Sequence, residues 1–211
     1  MKKKIIFLRN LGIEHWLTTF NKMNNFIISR NPCTYDEIWF VEHYPIFTQG
    51  QSNEQKNLIV SNDIPVVQTN RGGQITYHGP GQQILYFLID LKRRKMNIRQ
   101  LINIMEQTVI ETLNNFSIQA YTKKKMPGVY INEKKICSLG LRIKKGFTLH
   151  GLALNVNMNL TPFNYIHPCG DKNMKMTQIK DFNSNVKLKD VRFILIKELS
   201  KFLEIFIINS N

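Results

Sequence analysis

The sequence predicts an α+β fold: a single domain in which one mixed β-sheet is flanked by helices. Three observations carry this. Apolar runs of strand length outnumber the stretches with helical spacing, and several of them fall in adjacent pairs. Three longer segments repeat apolar residues at helical spacing. No fixed-period repeat and no low-complexity linker divides the chain.

The elements follow in order. IIFLRN (Ile5–Asn10) reads as a first strand. A helix is predicted from about Glu14 to Ser29, with Trp16, Phe20, Met23 and Phe26/Ile27 on one stripe and Pro32 as its stop. EIWFVEH (Glu37–His43) and IPVVQT (Ile64–Thr69) read as strands on either side of a polar loop around Asn53–Lys56. RGGQITYHGPGQ (Arg71–Gln82) is punctuated by glycine and proline, and ILYFLID (Ile84–Asp90) is a buried strand. An amphipathic helix carries Leu101, Met105, Val109 and Leu113. GVYIN, a turn at Glu133–Lys134 and KICSLGLRI predict a hairpin, and TLHGLALNVNMNL (Thr148–Leu160) a further strand. The last helix is predicted from Leu188 to Phe206, with Leu188, Leu195, Leu199, Phe202 and Phe206 toward the core.

Composition narrows the function classes. At 211 residues, 43% hydrophobic and 21% charged, the chain has the makeup of an ordinary globular domain. The net charge of +14 favours anionic partners. However, the basic clusters Lys2–Lys4, Lys92–Arg94 and Lys123–Lys125 sit at element ends, where solvated charge is expected, and no nucleic-acid-reading helix is evident. No nucleic-acid partner is therefore expected. The cysteines Cys33, Cys137 and Cys169 have neither disulfide-framework nor zinc spacing, so no metal is expected. The apolar run after the N-terminal lysines stops at Arg9, too short for a signal peptide, and the C-terminal apolar stretch is broken by charges. A cytoplasmic protein without membrane attachment is the expectation.

Cys169, between Pro168 and Gly170 in IHPCGDKNM, stands on a turn, whereas Cys137 lies in an apolar strand. A thiol needs a base or a cation beside it to act as a nucleophile near neutral pH. By spacing, His167 is the first candidate, with His150, His78 and Lys135 as others. The pattern leaves the choice open. The glycines of Arg71–Gln82 allow close backbone approach to a ligand, and neither a P-loop nor a GxGxxG fingerprint is present. Glycines within SLG and HGLALN lie beside Leu139, Leu152 and Ala153, which suit a hydrocarbon chain, although core packing in a twisted sheet explains the leucines more simply.

Taken together, RGGQITYHGPGQ, GVYINEKKICSLGLRI, HGLALNVNMNLTPFNYIHPCG and MTQI, in this order, resemble the lipoyl(octanoyl) transferases. The resemblance runs from about residue 35 to 180. It implies the biotin/lipoate protein ligase catalytic fold, with a core at about 32–207. It implies transfer of octanoyl, without ATP or other cofactor, from octanoyl-acyl carrier protein to a lysine of lipoyl domains. The acceptors would be 2-oxoacid dehydrogenase subunits and the glycine cleavage H protein. An ATP-dependent lipoate or biotin ligase on the same fold is the alternative.

By this resemblance Cys169 is the acyl-thioester cysteine and Lys135 the lysine that activates it. Arg71, Gly72, Gly73, Gln74, Ile75, Thr76, Tyr77 and His78 match substrate-binding positions, as do Ser138, Leu139 and Gly140, and Gly151, Leu152 and Ala153. Cys137 stands where alanine is usual, and His167 where asparagine is common, which argues against a Cys–His pair. Backbone N–H groups near Gly72–Gly73 or Gly170 are candidate oxyanion donors.

Overall fold

The computed structural model describes residues 5–52, 63–124 and 126–209. The Lys2–Lys4 cluster, the Asn53–Lys56 loop and Lys125 lie outside them. Strand β1 (Ile5–Glu14) leads into helix α1 (Trp16–Ser29), then β2 (Asp36–His43) and β3 (Ile46–Gln49). After β4 (Val66–Gln68) come β5 (Ile75–His78) and β6 (Gln82–Leu88), a short helix α2 (Leu91–Arg94) and the long α3 (Ile98–Asn114). Then follow β7 (Tyr121–Lys123), β8 (Met126–Ile131), β9 (Lys134–Lys144), β10 (Phe147–Asn155), α4 (Leu188–Leu203) and β11 (Phe206–Asn209).

Eight strands form the main sheet in the order β11-β1-β2-β6-β10-β9-β8-β7, and β4-β3-β5 make a second, small sheet. The main sheet is mixed: β1 runs parallel to β11 and β2, while β2, β6, β10, β9 and β8 pair antiparallel. The α+β fold with one mixed sheet is as the sequence predicts.

One face of the sheet buries the apolar stripes of α3 and α4. Leu101, Met105, Val109 and Leu113 are all fully buried, as are Leu195 and Leu199. Asn97 caps α3 in a capping box with Gln100, which fixes where that helix starts. The β8–β9 turn falls at Asn132 and Glu133, both with positive φ.

Two readings are corrected and one segment gains an element. The last helix ends at Leu203, where Glu204 takes a left-handed cap, and the chain continues as β11; Phe206 is 69% exposed instead of core-facing. The glycine-rich segment contains a true strand, β5. Finally, Arg93 and Arg94 are not solvated. With Arg30 they converge on the buried Asp36 carboxylate at 2.6–2.7 Å, tying α1, α2 and the start of β2 together.

Candidate active site

Cys169 occupies a single tight turn, Pro168–Gly170, closed by Gly170 N–H on His167 O (2.9 Å) and Asp171 N–H on Pro168 O (3.2 Å). Cys169 itself has φ 58° and ψ 16°, a left-handed conformation that costs a non-glycine residue about 1–3 kcal/mol. The turn thus holds the thiol half-exposed in one fixed direction.

Lys135 reaches it from the start of β9 because the chain after the turn is stapled to the lysine's own backbone. Lys135 N–H donates to Lys175 O at 2.8 Å, and Thr177 N–H to Lys135 O at 3.0 Å. Buried to 2% exposure, its ammonium donates to Cys169 Sγ at 3.0 Å and to Pro127 O at 3.2 Å, and lies 5.3 Å from the Tyr130 ring centre. Burial works to lower the Lys135 pKa, but the facing Cys169 sulfur and Tyr130 outweigh it, and the net shift is upward. Lys135 therefore stays an ammonium at neutral pH. Among the described residues no hydrogen bond joins the His167 ring to Cys169.

The pair opens onto a cavity of about 460 Å³. Its floor is three in-register strands: Gly140, Gly151 and Tyr86 lie side by side across β9, β10 and β6, as do Ser138, Ala153 and Ile84. The glycine pair has a reason. A Cβ on Gly140 would come within 3.1 Å of the Arg71 side chain, and one on Gly151 within 2.0 Å of Leu85 O. Arg71 through Thr76 and His78 form the opposite wall. The half-buried Arg71 is anchored to Thr48 O (2.6 Å), Thr48 Oγ1 (2.9 Å) and Gly72 O (3.0 Å). Burial pulls its pKa down to about 10, still a cation at neutral pH.

The sequence-predicted positions thus gather around one cavity, Cys169 and Lys135 included; Leu139 and Leu152 complete them. Tyr77 is the exception, packing between Phe47 and Phe163 with ring centres 5.5 Å from each. Sequence reasoning missed Trp16, which lines the cavity next to Tyr86 of β6, and Ile98, Ile102, Met126 and Pro127 on the α3 side. Trp16 opens α1, and only its place on an apolar stripe was visible. Cys137 points into the core, fully buried, and burial raises its thiol pKa. The oxyanion expectation is corrected in part: Gly72 N–H donates to Leu141 O (3.0 Å) and Gly170 N–H to His167 O (2.9 Å), so both are engaged.

Three buried histidines stand at the cavity: His78 and His150 line it, and His43 lies behind Tyr86. His43 bonds Tyr86 Oη at 2.8 Å, His78 bonds Gln82 at 2.7 Å and Thr48 at 3.2 Å, and His150 bonds Asn70 at 2.7 Å. Burial lowers their pKa values to about 4, 3 and 3 respectively, so all are neutral imidazoles. Among the described residues no group of three or more His, Cys, Asp or Glu could hold a metal ion, and no helix is long and apolar enough to cross a membrane.

An apolar cavity of this size, ending on a thiol and a buried ammonium, suits a hydrocarbon chain presented to a nucleophile, and so marks an enzyme that handles acyl groups. The comparisons make the class definite. The model of the lipoyl protein ligase A/B catalytic domain matches residues 7–200, and the chain belongs to that family. An octanoyltransferase of Buchnera aphidicola subsp. Schizaphis graminum is 64% identical over 99% of this chain and 97% of its own. In fold, the chain is similar to a bipartite lipoate protein ligase from Thermoplasma acidophilum (TM-score 0.79, 19% identity, 98% of this chain and 87% of that one). It is also similar to a biotin protein ligase from Aquifex aeolicus (TM-score 0.59, 19% identity, 96% and 71%).

Proposed function

We propose that this chain is an octanoyltransferase that carries the acyl group on Cys169 between two proteins. The observation that supports it most is the 3.0 Å approach of Lys135 Nζ to Cys169 Sγ at the end of the apolar cavity. The name of its 64%-identical relative, octanoyltransferase, points the same way.

With Lys135 as ammonium, the Cys169 thiolate attacks the thioester carbonyl of octanoyl-acyl carrier protein. The donor's C–S bond breaks, and the departing thiolate takes a proton from Lys135. Neutral Lys135 then accepts the proton of the incoming lysine amine as that amine attacks the acyl-cysteine, and Cys169 leaves as thiolate again beside an ammonium. Exchanging one thioester for another is nearly balanced and forming the amide is downhill, so no nucleotide enters. The protein's task is to hold the chain in the cavity and the carbonyl over the turn. The acceptors are lipoyl domains of 2-oxoacid dehydrogenases and the glycine cleavage H protein, and the net charge of +14 suits an acidic carrier protein as donor.

Transfer from octanoyl-acyl carrier protein to a purified lipoyl domain, with ATP omitted, tests this. Mass gain of the lipoyl domain by one octanoyl group is expected. A product formed only with free octanoate and ATP would replace this reading with the ligase one.

A further inference from the structure

Lys135 is aimed at Cys169 by the Pro127 carbonyl, and what aims that carbonyl is a residue outside the cavity. Pro127 C=O and Gly128 N–H belong to one planar trans peptide group, so the two bonds point in opposite directions and turn together. On one side the carbonyl accepts from Lys135 Nζ at 3.2 Å; on the other, the N–H donates to Glu106 Oε1 at 2.9 Å. Glu106 sits half-buried on α3, one turn beyond the cavity-lining Ile102.

That peptide needs a lock. Gly128 has φ 144°, and a Cβ there would lie 2.8 Å from both Cys137 O and Lys135 Cε, so only glycine fits. Glycine in turn leaves the preceding peptide free to rotate about its flanking bonds. Turned over, the peptide would show its N–H to the Lys135 ammonium and withdraw the acceptor. A hydrogen bond from N–H to a carboxylate is about twice as strong as a neutral one, and it polarises the carbonyl on the far side. Burial raises the Glu106 pKa, against the opposing pull of the Gly128 N–H and the Lys135 ammonium.

The geometry points to Glu106 as a positioning residue that fixes the Pro127–Gly128 peptide plane and, through the Pro127 carbonyl, holds Lys135 on Cys169; this rests on the Lys135–Cys169 pair proposed above. Its action is through the hydrogen bond, so an amide at 106, which keeps an acceptor oxygen, retains the lock in a weaker form.

The test compares Glu106→Ala, Glu106→Gln and Lys135→Met in the full chain. The readout is the iodoacetamide alkylation rate of the Cys169 peptide by mass spectrometry from pH 6 to 10, beside octanoyl transfer and thermal stability. Glu106→Ala is expected to slow neutral-pH alkylation about tenfold, move the profile to higher pH, and lower kcat more than it raises KM. Glu106→Gln is expected to stay within about twofold of the parent. A Glu106→Ala profile identical to the parent, while Lys135→Met shifts it, overturns the role of Glu106. Equal loss in Glu106→Gln and Glu106→Ala overturns the hydrogen-bond lock in favour of charge. An unmoved profile in Lys135→Met removes the lysine–cysteine pair itself, a separate failure. If Glu106→Ala does not fold, Glu106→Leu takes its place, with the same outcomes.

Discussion

Lowering the pH from 7 to 5 should cost this protein much of its stability, because three imidazoles are buried in the neutral form. His43, His78 and His150 have folded-state pKa values of about 4, 3 and 3 against 6.5 in the unfolded chain. A depressed pKa means that the unfolded state binds the proton first. The stability is fully present above 6.5 and is lost as pH falls toward 4 and 3. At pH 5 each histidine contributes a loss of about 2 kcal/mol, from 1.36 kcal/mol per unit over the interval below 6.5. Together they cost about 5–6 kcal/mol, against a total of about 5–15 for a domain. The neighbours reinforce the effect: His43 and His78 rings are 6.0 Å apart, and the Arg71 cation repels a charge on His78 and His150. Glu14 opposes it at His43 alone. Asp36, whose pKa is lowered, acts in a window below 3.8, and Lys135 above 10.5, so neither contributes between 7 and 5. Glu106, raised, works in the opposite direction, but as one half-buried group. Urea melts at the two pH values should show the midpoint collapsing with the slope unchanged. An unfolding free energy equal at pH 7 and pH 5 would refute the reasoning.

Two further outcomes follow from packing. Asp36→Asn leaves Arg30, Arg93 and Arg94 facing each other without their shared carboxylate. It should destabilise the fold by about 3–5 kcal/mol, measured by urea melts at pH 7. Trp16→Ala opens the cavity at β6, the strand two spacings, or ~10 Å, from β9. That span matches an extended eight-carbon chain. Competition between octanoyl and dodecanoyl donors should shift toward the longer, by about fourfold for each methylene newly accommodated. An unchanged chain-length profile would show that the wall lies elsewhere.

What the sequence disclosed followed locality. The α3 stripe from Leu101 to Leu113 was legible because helical spacing needs only neighbours, and the Cys169 turn because proline and glycine flank it. The lysine partner was not legible from spacing, which favoured His167 at two residues' distance. Lys135 lies 34 positions away, and it meets the thiol only because the chain after Cys169 pairs with its backbone at Lys175 and Thr177. The family resemblance supplied that pairing where periodicity could not. Arg93 and Arg94 read as surface charge for the same reason: their carboxylate is on β2, far back in the chain. The end of the last helix was missed because Phe206 continues the apolar stripe, while only the left-handed Glu204 reveals the break into β11. Glu106 carried no sequence signal, since its role depends on a peptide plane contributed by β8.

The central claim is that Cys169 itself carries the acyl group. Intact-protein mass after mixing with octanoyl-acyl carrier protein, in the absence of an acceptor, tests it most directly. One added octanoyl group, mapped to the Cys169 peptide, removed by neutral hydroxylamine and absent in Cys169→Ala, is the predicted result. An unmodified Cys169 in enzyme that still transfers octanoyl to a lipoyl domain would contradict it.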